Sequence, residues 1–249
     1  MIIAIMQPTY LPWIGYFDMI DQVDRFVFLD DAQVLKRSWG VRNRIVSQGK
    51  EAFLTVPLSG HSQSEDCNFT NTALDPSPKW RSKHLSTIRH AYAKAPFFAE
   101  TIGLLEGILD RDNQTIGSLN MRFIEETANA IGIATPCVRS SQMRGVEGRK
   151  DTRLLSICMA SGADNYLAAP GSAAYIEQDR ESGAFGGSGV ALHYHQYDHP
   201  TYSQSADPFI SHMSIVDLLM QYGFDAALDI IRSGRRPMLG SAELRKELA

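Results

Sequence analysis

Apolar positions along the chain change their spacing at regular intervals. The short apolar runs Ile2–Met6 and Arg25–Leu29 are typical of buried strands. Between them, from Ile14 to Val23, apolar residues recur at roughly helical spacing, after two prolines that exclude an earlier helix. Strand, loop, helix and strand in this order predict the start of a doubly wound, mostly parallel α/β sheet.

The middle of the chain interrupts this alternation twice. Residues 36–58 predict an inserted hairpin, because two alternating stretches flank the turn-prone Ser47–Lys50. Residues 59–78 form a polar loop of the kind that is often functional or mobile. A helical block then follows at about 79–131, with helices predicted over 79–92, 96–109 and 116–131.

The strand and helix pattern returns in the last third of the chain. Strands are predicted over 133–138, 165–168 and 189–195, and helices over 150–161, 213–222 and 224–233. We therefore predict one α/β domain over 1–233 that contains both insertions. Residues 234–249 are expected to form a charged C-terminal tail.

Composition narrows the function classes. The 249 residues contain 24 basic and 28 acidic side chains, so no broad nucleic-acid binding is expected. The three cysteines are odd in number and lack CxxC spacing, which argues against disulfides and a cysteine zinc site and favours a cytoplasmic protein. No apolar run is long enough to predict a membrane span or a signal peptide.

The loop after the first strand is the first candidate ligand site. It contains two prolines, several aromatic residues and one glycine, and it lies at the carboxyl end of a strand, where open α/β sheets bind ligands. The alternative is a rigid turn that packs on the core. The candidate binding residues here are Gln7, Pro8, Tyr10, Trp13, Gly15 and Tyr16.

Acidic residues end the second strand. Asp30 and Asp31, with Gln33 nearby, could bind Mg²⁺, an amine or ribose hydroxyls. Asp30 and Asp31 are accordingly catalytic candidates. A solvated strand end with a helix-capping Asp is the equally weighted alternative.

Basic residues cluster at the start of the predicted hairpin. Strand alternation places Arg42 and Arg44 on one face and Asn43 on the other, with Lys36 upstream. Paired guanidinium groups suit phosphate or carboxylate binding. A solvated hairpin face is the alternative.

Histidines occur at the end of the strand predicted over 189–195. His193 and His195 share one strand face, with His199 close behind, so a zinc set is conceivable. Hydrogen-bonded or solvated histidines are favoured over that set, and no metal site is predicted. A second functional hypothesis for these histidines is that His193 or His195 acts as a general base.

Serines and cations near the third predicted strand form another candidate anion site. Ser140 and Ser141 follow that strand, and Lys150 and Arg153 open the next helix. Ordinary capping is the alternative. The glycine-containing loop at 168–175 also follows a strand and could line the same cleft.

Several long motifs resemble one protein family. MQPTYLPWIGYF, FVFLDDAQ, WGVRNRI, KDTRLLSICMASGADNYLAAPGSAAYI, PTYSQ and FISHMSIVDLLMQYG together resemble the WbqC-like protein family over about residues 3–233. Tyr202 of PTYSQ joins the candidate binding residues on this ground. The resemblance implies tailoring of surface sugars or other small metabolites, since such proteins occur among O-antigen biosynthesis genes and a glycine-transferase role has been suggested for one group.

A more distant likeness concerns the first loop. Its strand, proline-rich loop and glycine resemble the opening of the nucleotidylyltransferase and pantothenate-synthetase superfamily, which implies a nucleotidylyltransferase-like, Rossmann-type fold. That superfamily carries HxGH where this chain has Trp13-Ile14-Gly15-Tyr16. Both histidines are absent, so adenylyl transfer by the usual chemistry is not expected.

These observations lead to one functional hypothesis with two alternatives. The leading hypothesis is an enzyme that passes an activated aminoacyl group, with glycyl as one candidate, to an amine of a sugar or related metabolite. ATP and Mg²⁺ are its candidate cofactors, and an amino acid, amino sugar or nucleotide-sugar is its expected partner. The alternatives are a nucleotidyltransferase and a noncatalytic nucleotide-sugar-binding protein. The sequence leaves the oligomeric state open.

Overall fold

The structure is a computed structural model that describes residues 1–59 and 66–248. Part of the predicted loop at 59–78 and the last residue of the predicted tail lie outside this range. The strands are β1 (Ile2–Met6), β2 (Arg25–Phe28), β3 (Arg42–Ser47), β4 (Lys50–Thr55), β5 (Cys137–Arg139), β6 (Asn165–Ala168), β7 (Ala191–Tyr194) and β8 (Leu239–Gly240). The helices are α1 (Ile14–Asp21), α2 (Lys79–Tyr92), α3 (Phe98–Leu109), α4 (Ile116–Ala130), α5 (Lys150–Ser161), α6 (Ala173–Ile176), α7 (Ile215–Ser233) and α8 (Ser241–Leu248).

A six-stranded sheet in the order β5-β2-β1-β6-β7-β8 forms the centre of the molecule. All neighbouring pairs are parallel except β7 and β8. The predicted α/β class with a mostly parallel sheet is therefore confirmed. From β1 the chain moves outward to β2 and β5, then returns to β6 on the opposite side of β1. This reversal makes the gap between β1 and β6 the topological switch point, where doubly wound sheets bind ligands.

Helices cover both faces of the sheet. Ile3, Ile5 and Val27 belong to an apolar cluster that includes residues of α5 and α6. Ala4 and Phe26 face the opposite way and pack in the larger cluster formed with α1, α7 and the helical block. Because both faces of the sheet are buried, its strands are continuous runs of apolar residues in the sequence.

The hairpin β3–β4 is a separate two-stranded sheet. Gln48 and Gly49 at its tip have φ of 52° and 72°, as a two-residue turn of the primed type requires. Asn43 fastens the hairpin to the first loop, because its side-chain amide donates to the carbonyl oxygens of Tyr10 (3.0 Å) and Leu11 (2.9 Å). The insertion is thereby positioned beside the carboxyl end of β1.

Two regions differ from their predicted form. Strand β5 begins at Cys137 and not at Ile133, because Pro136 has no N–H to donate to a ladder. The predicted tail at 234–249 contains β8, which pairs antiparallel with β7 at His193 and Tyr194, followed by α8. Charge alone predicted solvent exposure here, but the apolar side chain of Leu244 is buried in the core.

Helix α7 confirms a predicted break. Gly223 inside it has φ of 70° and ψ of −171°, so the two predicted helices meet there at a bend. A Cβ at Gly223 would lie 2.5 Å from atoms of Glu100 and Phe97, which keeps the position small. In the described part of the chain, every helix is too short or too polar to span a membrane.

Candidate functional site

One continuous cleft runs along the carboxyl edge of the parallel sheet, across the switch point between β1 and β6. It consists of three adjoining cavities of about 320, 320 and 830 Å³. The first and second share Met6, Thr9 and Trp39 in their walls. The second and third share Leu29, Leu154 and Tyr175. We call this the edge cleft, and its three parts the ring end, the middle and the cationic end.

The ring end has aromatic walls with a few polar groups. Trp13, Tyr16 and Trp39 line it, and Trp39 is 50% exposed. Burial raises the pKa of the Tyr16 phenol well above its usual value, and its hydroxyl donates to the carbonyl oxygen of Gln7 at 3.0 Å. Exposed indole surface in a concavity is suited to contact with a planar or apolar ring.

Rings from a distant segment hold Trp13 in place. The ring centroid of His212 lies 4.8 Å from that of Trp13, and His199 stacks on it at 6.0 Å and 13°. Tyr197 meets the indole edge-on at 5.5 Å. Burial lowers the pKa of His199 to about 4, so this ring is neutral at pH 7. The indole is thus fixed at one end of the cleft.

The absence of a side chain at Gly15 leaves room for the indole of Trp13. A Cβ on Gly15 would lie 2.2–2.6 Å from three ring atoms of Trp13, so glycine here admits the indole and not a ligand. Replacing Gly15 by alanine is expected to cost about 1–3 kcal/mol of unfolding free energy and to displace the indole from the ring end. Chemical unfolding and tryptophan fluorescence measure both effects.

Gly171→Ala is the matched control for that substitution. A Cβ at Gly171 would meet no heavy atom within 4 Å, so stability and emission spectrum should remain those of the wild type. Equal behaviour of the two variants would contradict the assigned role of Gly15.

The cationic end is lined by three basic side chains, Arg149, Lys150 and Arg153. Arg153 forms an ion pair with Asp31, which lines the same cavity. Arg149 and Lys150 are exposed and have no ion-pair partner among the described residues. Lys150 has φ of 50°, in the left-handed region that non-glycine residues seldom adopt and that is often found at functional sites. Three cations against the single carboxylate of Asp31 give this end a net positive charge, which is the kind of surface that attracts anions.

The middle of the cleft joins the two ends and has a mostly apolar wall with several polar side chains. Gln7 and Thr9 come from the first loop, Ser172 comes from the turn after β6, and Tyr175 comes from α6. The prediction that the loop at 168–175 lines the cleft is thus confirmed. The hydroxyl oxygen of Thr9 is buried and has no hydrogen-bond partner among the described residues.

Arg44 of the predicted arginine pair reaches the ring end. Its guanidinium pairs with Glu51 at 2.9 Å, donates to the carbonyl oxygen of His212 at 3.1 Å, and lies 5.4 Å from the Trp39 ring centroid. One N–H of each terminal nitrogen is therefore used within the protein, while Nε is buried without a hydrogen-bond partner among the described residues. Arg42 stacks on Phe53 instead, at 4.8 Å, and does not line the edge cleft.

Hydrogen bonds join the two aspartates and two serines predicted at the strand ends. Asp30 is 1% exposed and accepts from the hydroxyl of Ser141 at 2.7 Å, the backbone N–H of Ser141 at 3.0 Å and the hydroxyl of Ser140 at 3.2 Å. Asp31 accepts from the Ser140 hydroxyl at 2.7 Å. The serine hydroxyls thus bind carboxylates and not phosphate, and they tie β2 to the end of β5. Asp31 alone of these four lines the cleft.

Other predicted site residues lie in the core. Tyr10 is 2% exposed, and its hydroxyl contacts His84 Nδ1 at 2.9 Å. His195 is 3% exposed and contacts Asp18 at 2.7 Å through Nε2. Tyr202 is buried and donates to Asp217 at 3.0 Å. None of these three side chains reaches the edge cleft.

The remaining predicted residues also divide between the cleft and other places. Gln33 lines the cationic end. Pro8 is buried, and its carbonyl oxygen accepts from Asn120 at 2.8 Å. His193 contacts Asn165 at 3.1 Å on the sheet, and Lys36 is exposed outside the three cavities. The predicted site residues that line the cleft are Gln7, Trp13, Tyr16, Asp31, Gln33, Asn43, Arg44, Lys150 and Arg153.

Arg149, Thr9 and His212 are among the cleft residues that were not predicted. Arg149 stands between Gly148 and the predicted binding residue Lys150. Two adjacent basic residues after a glycine could have indicated that Arg149 belongs to the same site. Thr9 lies in the first loop, and nothing in the sequence distinguishes it from its neighbours there. His212 lies in FISHMSI, far from every strand end, and only the fold brings it to the ring end.

The described residues hold no cluster of three or more His, Cys, Asp or Glu side chains arranged for a metal ion. Asp31 is the carboxylate at the cationic end. Mg²⁺ commonly binds through one or two carboxylates together with substrate phosphates, so Asp31 fits such an ion only if a phosphate ligand accompanies it.

One protein family and one relative match most of the chain. The family model described as "WbqC-like protein family" matches residues 7–228. An uncharacterized protein of Mycobacterium tuberculosis, Rv1507c, is 31% identical over 227 residues, which cover 90% of this chain and 95% of the relative. No solved structure matches the chain. The match includes the first loop, β3 and the loop that carries His212, and the chain therefore belongs to the WbqC-like protein family.

Proposed function

We propose that this protein is a transferase or ligase that binds a nucleotide or nucleotide-linked sugar in the edge cleft. In this proposal it forms an amide, by passing an activated aminoacyl group to an amine of a sugar or related small metabolite. Glycyl is the first candidate for that group. The observation that carries the proposal is the contrast between the two ends of the cleft: aromatic walls stand at one end, and the other holds two cations that have no ion-pair partner among the described residues.

A nucleotide matches that polarity. Its planar base suits contact with Trp13 and Trp39, and its phosphates suit Arg149, Lys150 and Arg153. The route between the ends crosses the switch point, the usual ligand position of doubly wound sheets. Catalysis would rest on positioning the two reactants and on stabilising developing charge.

ATP is the donor of activation in this scheme, because a free carboxylate does not acylate an amine. The cationic end would hold its phosphates, and Asp31 would hold Mg²⁺ together with them. The bound Mg²⁺ would supply charge neutralisation. The protein groups themselves orient the phosphates and exclude water.

Nucleotidyl transfer is the less favoured reaction. Trp13 and Tyr16 stand where the superfamily compared above has histidines, and Tyr16 is committed to the Gln7 carbonyl. Neither side chain can donate a proton as an imidazolium does. The third hypothesis is a noncatalytic binding protein. A measurement of product formation distinguishes it from the two enzymes.

Ligand binding at the ring end is expected to quench tryptophan fluorescence. Trp80 lies outside the edge cleft, with its indole N–H bonded to the carbonyl oxygen of Asp75, so Trp80→Phe leaves Trp13 and Trp39 as the reporters. Titration of this variant with ATP or a uridine diphosphate amino sugar should quench emission, with half-saturation between about 1 µM and 1 mM.

The control variant adds Trp39→Phe and should show a smaller quench. Saturable binding that leaves both emission spectra unchanged would place the ligand elsewhere and contradict the proposed site. Glycine-dependent exchange between ATP and pyrophosphate supports aminoacyl activation. Exchange without any amino acid identifies nucleotidyl transfer, and binding without turnover of any donor identifies a binding protein.

A further inference from the structure

We propose that Tyr175 is a catalytic residue of the edge cleft, whose hydroxyl donates a hydrogen bond to the carbonyl oxygen of the activated aminoacyl group while the amide bond forms. This inference rests on the proposed amide-forming function and names the group that stabilises the developing negative charge. Tyr175 lies in α6, in the segment that follows β6. It lines both the middle of the cleft and the cationic end.

The reacting bond belongs where the middle of the cleft meets the cationic end. With the nucleotide base at the ring end and the outer phosphates at the cationic end, the ribose occupies the middle. The α-phosphate, to which an activated aminoacyl group is bonded, then stands at the boundary of these two cavities. Of the described residues, Leu29, Leu154 and Tyr175 line both cavities, and Tyr175 is the one of the three with a polar side chain. Its hydroxyl is therefore the hydrogen-bonding side-chain group that this boundary offers.

Packing fixes Tyr175 at this boundary. Its neighbours in α6, Ala173 and Ile176, are buried in the apolar cluster that includes residues of α5. The hydroxyl of Ser172 donates to the carbonyl oxygen of Ala169 at 2.6 Å, within the turn between β6 and α6. Tyr175 itself is only partly buried and lies on the cleft wall. Since β6 borders the switch point, Tyr175 follows one of the two strands between which doubly wound sheets bind ligands.

The surroundings of the Tyr175 phenol keep it protonated. Burial raises its pKa above the usual 10.0, the negative charge of Asp151 raises the pKa further, and the neighbouring Ser172 hydroxyl opposes the shift. A phenol with a pKa above that value holds its proton at pH 7 and remains a hydrogen-bond donor. Tyr175 is thus suited to stabilise an oxyanion and not to remove a proton.

The hydrogen bond acts on the oxygen that gains charge during acyl transfer. The amine nitrogen attacks the carbonyl carbon, a carbon–nitrogen bond forms, and one electron pair of the carbonyl double bond moves to the oxygen that faces Tyr175. As the double bond re-forms, the bond from its carbon to the α-phosphate oxygen breaks, and the nucleoside monophosphate departs with the electron pair. The proton that the amine nitrogen loses passes to solvent water, and Tyr175 keeps its own.

Tyr175→Phe tests the proposal, because it removes the hydroxyl and keeps the ring. We expect ATP affinity, measured by tryptophan quenching, to change less than about twofold, while kcat for amide formation falls about 10²–10³-fold, as on loss of one oxyanion donor. Tyr222→Phe is the matched control. Tyr222 lies outside the three cavities, and its hydroxyl accepts from the N–H of Ser203, so this variant should match the wild type in both measurements.

Infrared spectroscopy of a bound analogue supplies a readout that needs no turnover. The probe is glycylsulfamoyl adenosine, a stable mimic of the activated glycyl group, with carbon-13 at its carbonyl. A hydrogen bond from Tyr175 lowers the carbonyl stretching frequency, so we expect a higher frequency in Tyr175→Phe and an affinity for the probe that is weaker by about 2–10-fold.

The outcomes separate the role of Tyr175 from the proposed function. Equal stretching frequencies in the two proteins, a variant with wild-type kcat, or a loss of ATP affinity as large as the loss of kcat overturns the role of Tyr175 and leaves the proposed function standing. A wild-type protein that fails to bind the probe or acylates no amine overturns the proposed function, and the catalytic role of Tyr175 with it.

Discussion

Replacing Asp217 by alanine is expected to lower the free energy of unfolding by about 3–5 kcal/mol. The Asp217 carboxylate is fully buried in α7 and accepts from the hydroxyls of Tyr92 at 2.7 Å and Tyr202 at 3.0 Å. It also accepts from the amide of Gln204 at 2.7 Å. Burial raises the pKa of Asp217, and these three donors oppose that shift. Truncation would leave the buried hydroxyls of Tyr92 and Tyr202 without their acceptor, and Gln204 would keep only its bond to the carbonyl oxygen of Ile210.

The substitution should also reach the edge cleft. The Tyr92 hydroxyl accepts from the N–H of Val46 on β3, and Gln204 holds the backbone of Ile210 at 2.9 and 3.1 Å. Asp217 therefore fixes the segment that carries His199 and His212 relative to the hairpin. We expect weaker tryptophan quenching by ATP in the folded variant, because the wall around Trp13 loses its anchor.

Urea unfolding followed by circular dichroism measures the stability change. Asp229→Ala is the matched control, since Asp229 lies exposed on the same helix, and its loss should cost no more than about 0.5 kcal/mol. A cost below about 1 kcal/mol for Asp217→Ala would show that the buried network contributes little to stability.

The double substitution Arg149→Gln and Lys150→Gln is expected to weaken the binding of ATP by about 10²–10⁴-fold. Each charge-assisted hydrogen bond to phosphate is worth about 1.5–3 kcal/mol, and 1.36 kcal/mol corresponds to a factor of ten. Both side chains line the cationic end without an ion-pair partner in the described part of the chain, so their charges are free to act on a ligand. Calorimetric titration at low ionic strength measures the change.

Salt gives a second test of the same site. Wild-type affinity should fall as ionic strength rises, because the cationic end is solvent-accessible, and the double variant should lose most of that dependence. Arg144→Gln removes one positive charge from the same segment but outside the cavity, and should leave affinity within about threefold. Equal losses in the control and the double variant would point to a diffuse charge effect.

The sequence alone was sufficient for much of the fold. The helical spacing of apolar residues predicted α2 over 79–92 and α5 over 150–161, the bounds that the structure has. The turn chemistry at Ser47–Lys50 predicted the hairpin, and strand–loop–helix order predicted the parallel sheet. These features depend on neighbours within a few positions, which a sequence displays directly.

The candidate site was only partly visible in the sequence. The first loop and the cations near residue 150 were correctly placed on the carboxyl edge, because strand ends can be read from composition. The sequence did not show which side chains face the cleft. Tyr10 and Trp13 stand three residues apart in one loop, yet one is in the core and the other lines the ring end.

By itself, then, the sequence determined the α/β class, most element bounds and the family, all of which are recorded in local pattern and motif. Only the tertiary structure decided which polar groups are already satisfied and which remain free for a ligand. Asp30 meets Ser140 across 110 positions, and Arg44 meets His212 across 168. Hydrogen-bond partners so distant along the chain are chosen by the packing of strands and helices, and local spacing carries no record of that choice.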